Sequence, residues 1–246
     1  MKVLNLGPAL AAIAAVSASA TSSASFVGYF VSSYNTSSGG QALVVYTLTA
    51  RFNGPHDTVF SAFDLASEDP NALTGFWHKD NHGDPATNGI LSQRYGTWDP
   101  TTTGSATANR PFDSYLTIGG VARPGNTTRA NSHWFDGGNP ETRGWSRPDL
   151  PANGMIGWTN SDSDNGQGTV GNSAGVPTTD VRLAQFVLSE GEYARAFTIC
   201  IKYGSEYSLS DDYQVVSGSF SLGTAVPGPG PLVLLALGGL FARRRR

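Results

Sequence analysis

Apolar and polar residues alternate with a period of two through residues 42–52. Ala42, Val44, Tyr46, Leu48, Ala50 and Phe52 fall on one side, and Thr47, Thr49 and Arg51 on the other, as a half-buried strand requires. The stretch before it, 26–34, carries aromatics at Phe26, Tyr29, Phe30 and Tyr34, and Gly39-Gly40 between the two is a turn signal. Residues 58–65 (TVFSAFDL) follow a second turn, Asn53-Gly54-Pro55. Together these three segments predict an antiparallel meander. Further strands are predicted at 73–78, 90–95, 114–118, 155–158, 181–188, 196–203 and 213–222. In the penultimate one Phe197, Ile199, Ile201 and Tyr203 share a face, leaving Ala196, Thr198, Cys200 and Lys202 on the other.

No segment of this body sustains the i, i+3, i+4, i+7 apolar spacing of a helix, and 30 glycines with 14 prolines oppose helix throughout. Short strands separated by turn clusters predict an all-β fold: a single antiparallel β-sandwich, jelly-roll or immunoglobulin-like, with long surface loops. Residues 126–175 are too long and polar for an ordinary connection and read as an excursion over the surface or a functional face. The body contains no internal repeat and no linker.

The two ends break the pattern. Met1-Lys2, a mostly apolar run over 3–16 and Ala18-Ser19-Ala20 predict a secretory signal peptide at 1–20, cleaved after Ala20 or, as second choice, Ala24. At the other end a Pro/Gly-rich stretch is followed by an apolar run, 232–242, and by Arg243, Arg244, Arg245 and Arg246. As a short helix the run spans about 18 Å against roughly 30 Å of bilayer hydrocarbon, which suits passage through a membrane better than permanent residence. The arginines fix the C-terminal side as cytoplasmic. Residues 21–224 are then the β domain and 225–246 a sorting tail.

The tail Val226-Pro227-Gly228-Pro229, the apolar run and the arginine cluster resemble the PEP-CTERM sorting signal of exported bacterial proteins, with Gly228 where glutamate is usual. The resemblance implies an exosortase-type partner, transit through the inner membrane, delivery to the cell surface or extracellular space, and association with exopolysaccharide or biofilm material. With no catalytic motif in the chain, a non-catalytic structural role is the first expectation. A second, internal stretch, Asp113-Ser114-Tyr115-Leu116-Thr117-Ile118-Gly119-Gly120 followed by a Gly-Trp dipeptide (Gly144-Trp145 or Gly157-Trp158), is similar to a segment of exported bacterial β proteins with such tails and bears on fold alone.

Charge and cysteine sharpen this picture. Lys2 and the four terminal arginines belong to the end segments, leaving 11 basic against 19 acidic residues in the body, a net of about −8. With no basic stripe to neutralise phosphates, nucleic acid is not an expected partner. Cys200 is the one cysteine, so the fold holds without an internal disulfide, and its place between Ile199 and Ile201 favours an inert thiol.

Four groups of residues are candidates for chemistry. His78, Asp80 and His82, with Asp84, would project to one face of an extended segment as ligands for a divalent ion, whereas Asn81, Gly83 and Pro85 would make the segment a turn that scatters them. Asp162 and Asp164, within Asn160-Ser161-Asp162-Ser163-Asp164-Asn165-Gly166, resemble the start of a Ca²⁺ loop, although glycine falls one place late for an EF-hand and no closing glutamate follows. Otherwise no cofactor is expected. The five tryptophans, 77, 98, 134, 145 and 158, read as lying in or beside loops. There they would either cap the core or stack on sugar rings, with Trp134 and Trp145 the preferred contacts of a carbohydrate-binding module. Glu68-Asp69, Glu190 with Glu192, and Asp211-Asp212 supply acids for a secreted hydrolase, but no Gly-x-Ser-x-Gly, His-Glu-x-x-His or phosphate-loop motif accompanies them. Asn35-Thr36-Ser37 and Asn126-Thr127-Thr128 match glycosylation sequons.

Overall fold

The computed structural model describes residues 25–38, 40–67, 76–79, 91–92, 98, 100, 113–130, 156–191, 195–205 and 213–223. The predicted signal peptide (1–20) and the tail (225–246) with its apolar helix lie outside these. The strands are β1 (Phe26–Ser38), β2 (Gln41–Phe52), β3 (Asp57–Ser67), β4 (His78–Lys79), β5 (Leu91–Ser92), β6 (Tyr115–Leu116), β7 (Thr128–Ala130), β8 (Ile156–Asn160), β9 (Asp180–Ser189), β10 (Arg195–Ser205) and β11 (Tyr213–Leu222). Every pairing among them is antiparallel. One sheet has the order β1-β2-β9-β6, a second β11-β10-β3-β8-β7, and β4 pairs with β5.

The predicted meander is only half right. β1 and β2 form a hairpin, with Gly40 in a left-handed turn (φ 83°), but β3 belongs to the second sheet, between β10 and β8. The turn at 53–55 is a corner between sheets: His56 adopts φ 86° and sends the chain across. The free edge of β2 goes instead to β9, which lies more than a hundred residues further on and is buried over nearly its whole length.

Alternation within the strands is broken by bulges. In β3, where the core residues are Val59, Ala62 and Leu65, the register slips opposite Lys202/Tyr203 and again between Phe63 and Leu65, with Asp64 at φ 54°. In β9 the register shifts opposite Leu48/Thr49, so that Leu183 and Ala184 both reach the core. The inward set passes from Val181 and Leu183 to Ala184, Phe186 and Leu188.

Residues of both sheets share one core. Phe186 of the first sheet stacks 6.0 Å from Phe220 of the second, and Phe76 and Trp98 close around it at 5.2 Å and 6.1 Å. Nearer the chain's start, Phe52 meets Tyr203 edge-on at 5.1 Å. The predicted inward face of β10 (Phe197, Ile199, Ile201, Tyr203) is buried as expected. In β2, however, the outward face is covered too: Leu43 and Val45 pack with Val187 under Trp77, and Thr47 and Thr49 are buried.

The excursion at 126–175 also needs correction. It holds β7, β8 and a 3₁₀ turn at Ser163–Asn165. β8 pairs directly with β3, and its Ile156 and Trp158 are fully buried. The strand predicted at 155–158 is β8, and polar composition hid only β7 and the turn, because the polar side chains here satisfy one another in the interior.

Candidate functional site

The stretch 113–120 and the dipeptide Gly157-Trp158 meet in space. β6 lays Leu116 beside Ala184 of β9, and the Thr117 N–H then donates to the carbonyl of Leu183, the bulged residue, at 2.9 Å. The Trp158 indole N–H reaches the carbonyls of both Thr117 (3.0 Å) and Leu183 (3.1 Å). One buried donor thus ties both sheets together at the bulge, which is why a tryptophan serves here and a phenylalanine would not. Gly119 (φ 73°) turns the chain so tightly that a Cβ would lie 1.5 Å from the Gln167 carbonyl oxygen.

Around this corner lies a saturated polar cluster. Asn126, 1 % exposed, donates through Nδ2 to Thr117 Oγ1 (2.9 Å) and the Val121 carbonyl (3.0 Å), and accepts at Oδ1 from the Thr128 N–H (2.9 Å) and Gln167 Nε2 (3.1 Å). Gln167 also donates to the Ile118 carbonyl (2.7 Å) and accepts from the Thr127 N–H (3.2 Å). Such a network fixes one geometry and leaves no side-chain atom over for a ligand. Asn126 belongs to a predicted sequon, but in the fold its amide is fully engaged. Sequence reading missed the cluster, since nothing in the spacing of Asn126 and Gln167 announces their meeting.

The loop expected to hold Ca²⁺ continues this network. Asp162 caps the 3₁₀ turn by accepting from the Asp164 N–H at 3.2 Å. Two neighbouring side-chain oxygens already accept hydrogen bonds. Asn160 Oδ1 accepts from Thr127 Oγ1 and the Asp162 N–H, and Asn165 Oδ1 from the Gln167 N–H. Among the described residues no three His, Cys, Asp or Glu side chains converge on a point where a metal ion would sit. His78 begins β4, while Asp80 and His82 lie outside the described residues.

Three tryptophans are built into the fold. Trp158 stands within β8, not in a loop, and Trp98 is buried. Trp77 packs on Leu43, Val45 and Val187 and donates to Ser189 Oγ at 2.7 Å. Trp134 and Trp145 lie outside the described residues, as do Val226, Pro227, Gly228, Pro229 and Arg243–Arg246.

Charged groups cluster on the outward face of the first sheet. Asp180, buried, accepts from Arg51 at 2.7 Å and from Thr49 at 2.9 Å, and the Arg51 guanidinium lies 3.9 Å over the Phe30 ring. Arg182, also buried, donates to the Tyr115 hydroxyl (3.0 Å) and the Ala174 carbonyl (3.3 Å). Asp57 is buried, with Oδ2 lacking a partner among the described residues. Burial pushes its carboxyl above the usual range, with His56 pulling the other way. Burial, and then Asp64, raise the Cys200 thiol, which keeps it protonated and unreactive at neutral pH.

No protein-family model matches the chain, and no curated protein or solved structure matches it either.

Proposed function

We propose that this chain is an exported cell-surface or extracellular-matrix protein without catalytic activity. Residues 1–20 direct it across the membrane, and residues 225–246 hand it to an exosortase-type enzyme that processes it. The observation that carries this reading is the order of three unlike pieces between Val226 and Arg246: a Pro/Gly motif, an apolar run short for a bilayer, and four arginines. Association with extracellular polysaccharide follows from the same resemblance. The acidic body, about −8 without its end segments, suits a solvated protein outside the cell.

We read the two sheets as the layers of a β-sandwich. Strand order supports the immunoglobulin-like form over the jelly roll: β1-β2-β9-β6 facing β11-β10-β3 parallels the A-B-E-D and G-F-C sheets of that fold, with β8 and β7 extending the second sheet.

The test is fractionation of the producing bacterium. Pro227→Ala with Pro229→Ala, or replacement of Arg243–Arg246 by glutamine, is expected to hold the chain in the membrane fraction while the native sequence is released. Equal release of all three forms would contradict the reading.

A further inference from the structure

Among the described strands the two sheets end on four edges, and these are of two kinds. β6 and β7 are blunted by brevity, at 2 and 3 residues. β1 and β11 are long, at 13 and 10 residues, and neither FVGYFVSSYNTSS nor YQVVSGSFSL contains a charged residue or a proline. Long edges normally carry lysine, proline or a central bulge, because their unpaired N–H and C=O groups otherwise recruit another strand. In β1 the one register irregularity is at Phe26/Gly28, and pairing to β2 is unbroken from Gly28 to Ser38. That regularly paired, uncharged edge runs for about 36 Å.

We infer that β1 pairs antiparallel with β1 of a second copy of this chain, across a two-fold axis at Ser32, joining the β1-β2-β9-β6 sheets of two molecules into one continuous sheet. The partner is argued from three features. First, the edge is self-complementary about Ser32. Phe30 and Tyr34 stand two residues to either side, exposed at 38 % and 49 %, so each Phe30 lies opposite the other copy's Tyr34. Second, Phe30 is held ready, with its ring under Arg51, which Asp180 anchors. Third, two bodies of net charge about −8 repel each other at most approaches, and a strand without charge is where they can meet. A two-fold contact of one patch with itself closes at the dimer. The inference goes beyond the sorting reading, and only its third feature, a charge counted without the end segments, rests on that reading.

The test is sedimentation velocity on the full chain as recovered from its producing cells. The native protein is expected to sediment as a dimer. Ser32→Lys and Ser32→Glu each place like charges face to face on the axis and are expected to weaken association about tenfold or more. An equimolar mixture of the two variants is expected to regain the dimer, which misfolded variants could not do. A native protein that stays monomeric at every concentration overturns the inference. So does a dimer indifferent to both Ser32 variants, or one dissolved by Val215→Lys in β11 instead.

Discussion

Asp57 is a buried carboxyl whose Oδ2 finds no donor among the described residues, and burial raises its proton affinity in the folded state. The sign of its contribution follows. Between the unfolded value near 4 and the higher folded one, the native state keeps a proton that the unfolded chain releases, so stability falls as pH rises through that window. Asp57→Asn removes the charge and supplies a donor. In denaturant unfolding the variant is expected to be more stable than the native chain by about 1 kcal/mol at pH 7, with the advantage shrinking as pH falls towards about 3.5. An advantage independent of pH, or a variant weaker at neutrality, would contradict this account of Asp57. The same reasoning separates Asp57 from Asp180, whose carboxylate is met by Arg51 and Thr49.

Among the elements, the corner after β6 is the least tolerant of change. Gly119 needs both a left-handed backbone and the absence of a Cβ, whereas Gly191 (φ 89°) meets nothing within 4 Å and needs the backbone alone. Gly191→Ala is therefore expected to cost about 1 kcal/mol, and Gly119→Ala about 3 kcal/mol or more, in urea unfolding. Equal costs would mean that the corner yields and that Gln167 does not fix it. This corner also shows what the sequence could disclose. Regular alternation marked β2 and β10, because their core-facing residues recur with a period of two, and the strand predicted at 213–222 is β11. β3 and β9 carry bulges that shift the inward parity mid-strand, so their register was hidden. The buried second face of β2 was hidden as well, since its cover, Trp77, comes from a distant segment.

For the whole molecule, two long-range facts decided the architecture. β2 gives its edge to β9, and β3 crosses to the other sheet; neither is written in local pattern, because both turn on which distant strand wins an edge. Of the candidate chemistry, the stretch 113–120 and its Gly-Trp partner were visible as segments. Their meeting through Trp158, and the ties of Asn160 and Asn165 to Thr127 and Gln167, depend on residues brought together only by folding. The proposed function rests on the two ends of the chain, read from the sequence. The most direct measurement is the intact mass of the chain recovered from outside the producing cells. The account predicts a species beginning at Thr21, after cleavage behind Ala20, and ending between Pro227 and Pro231. A full-length species from Met1 to Arg246, found folded in the cytosol, would contradict it.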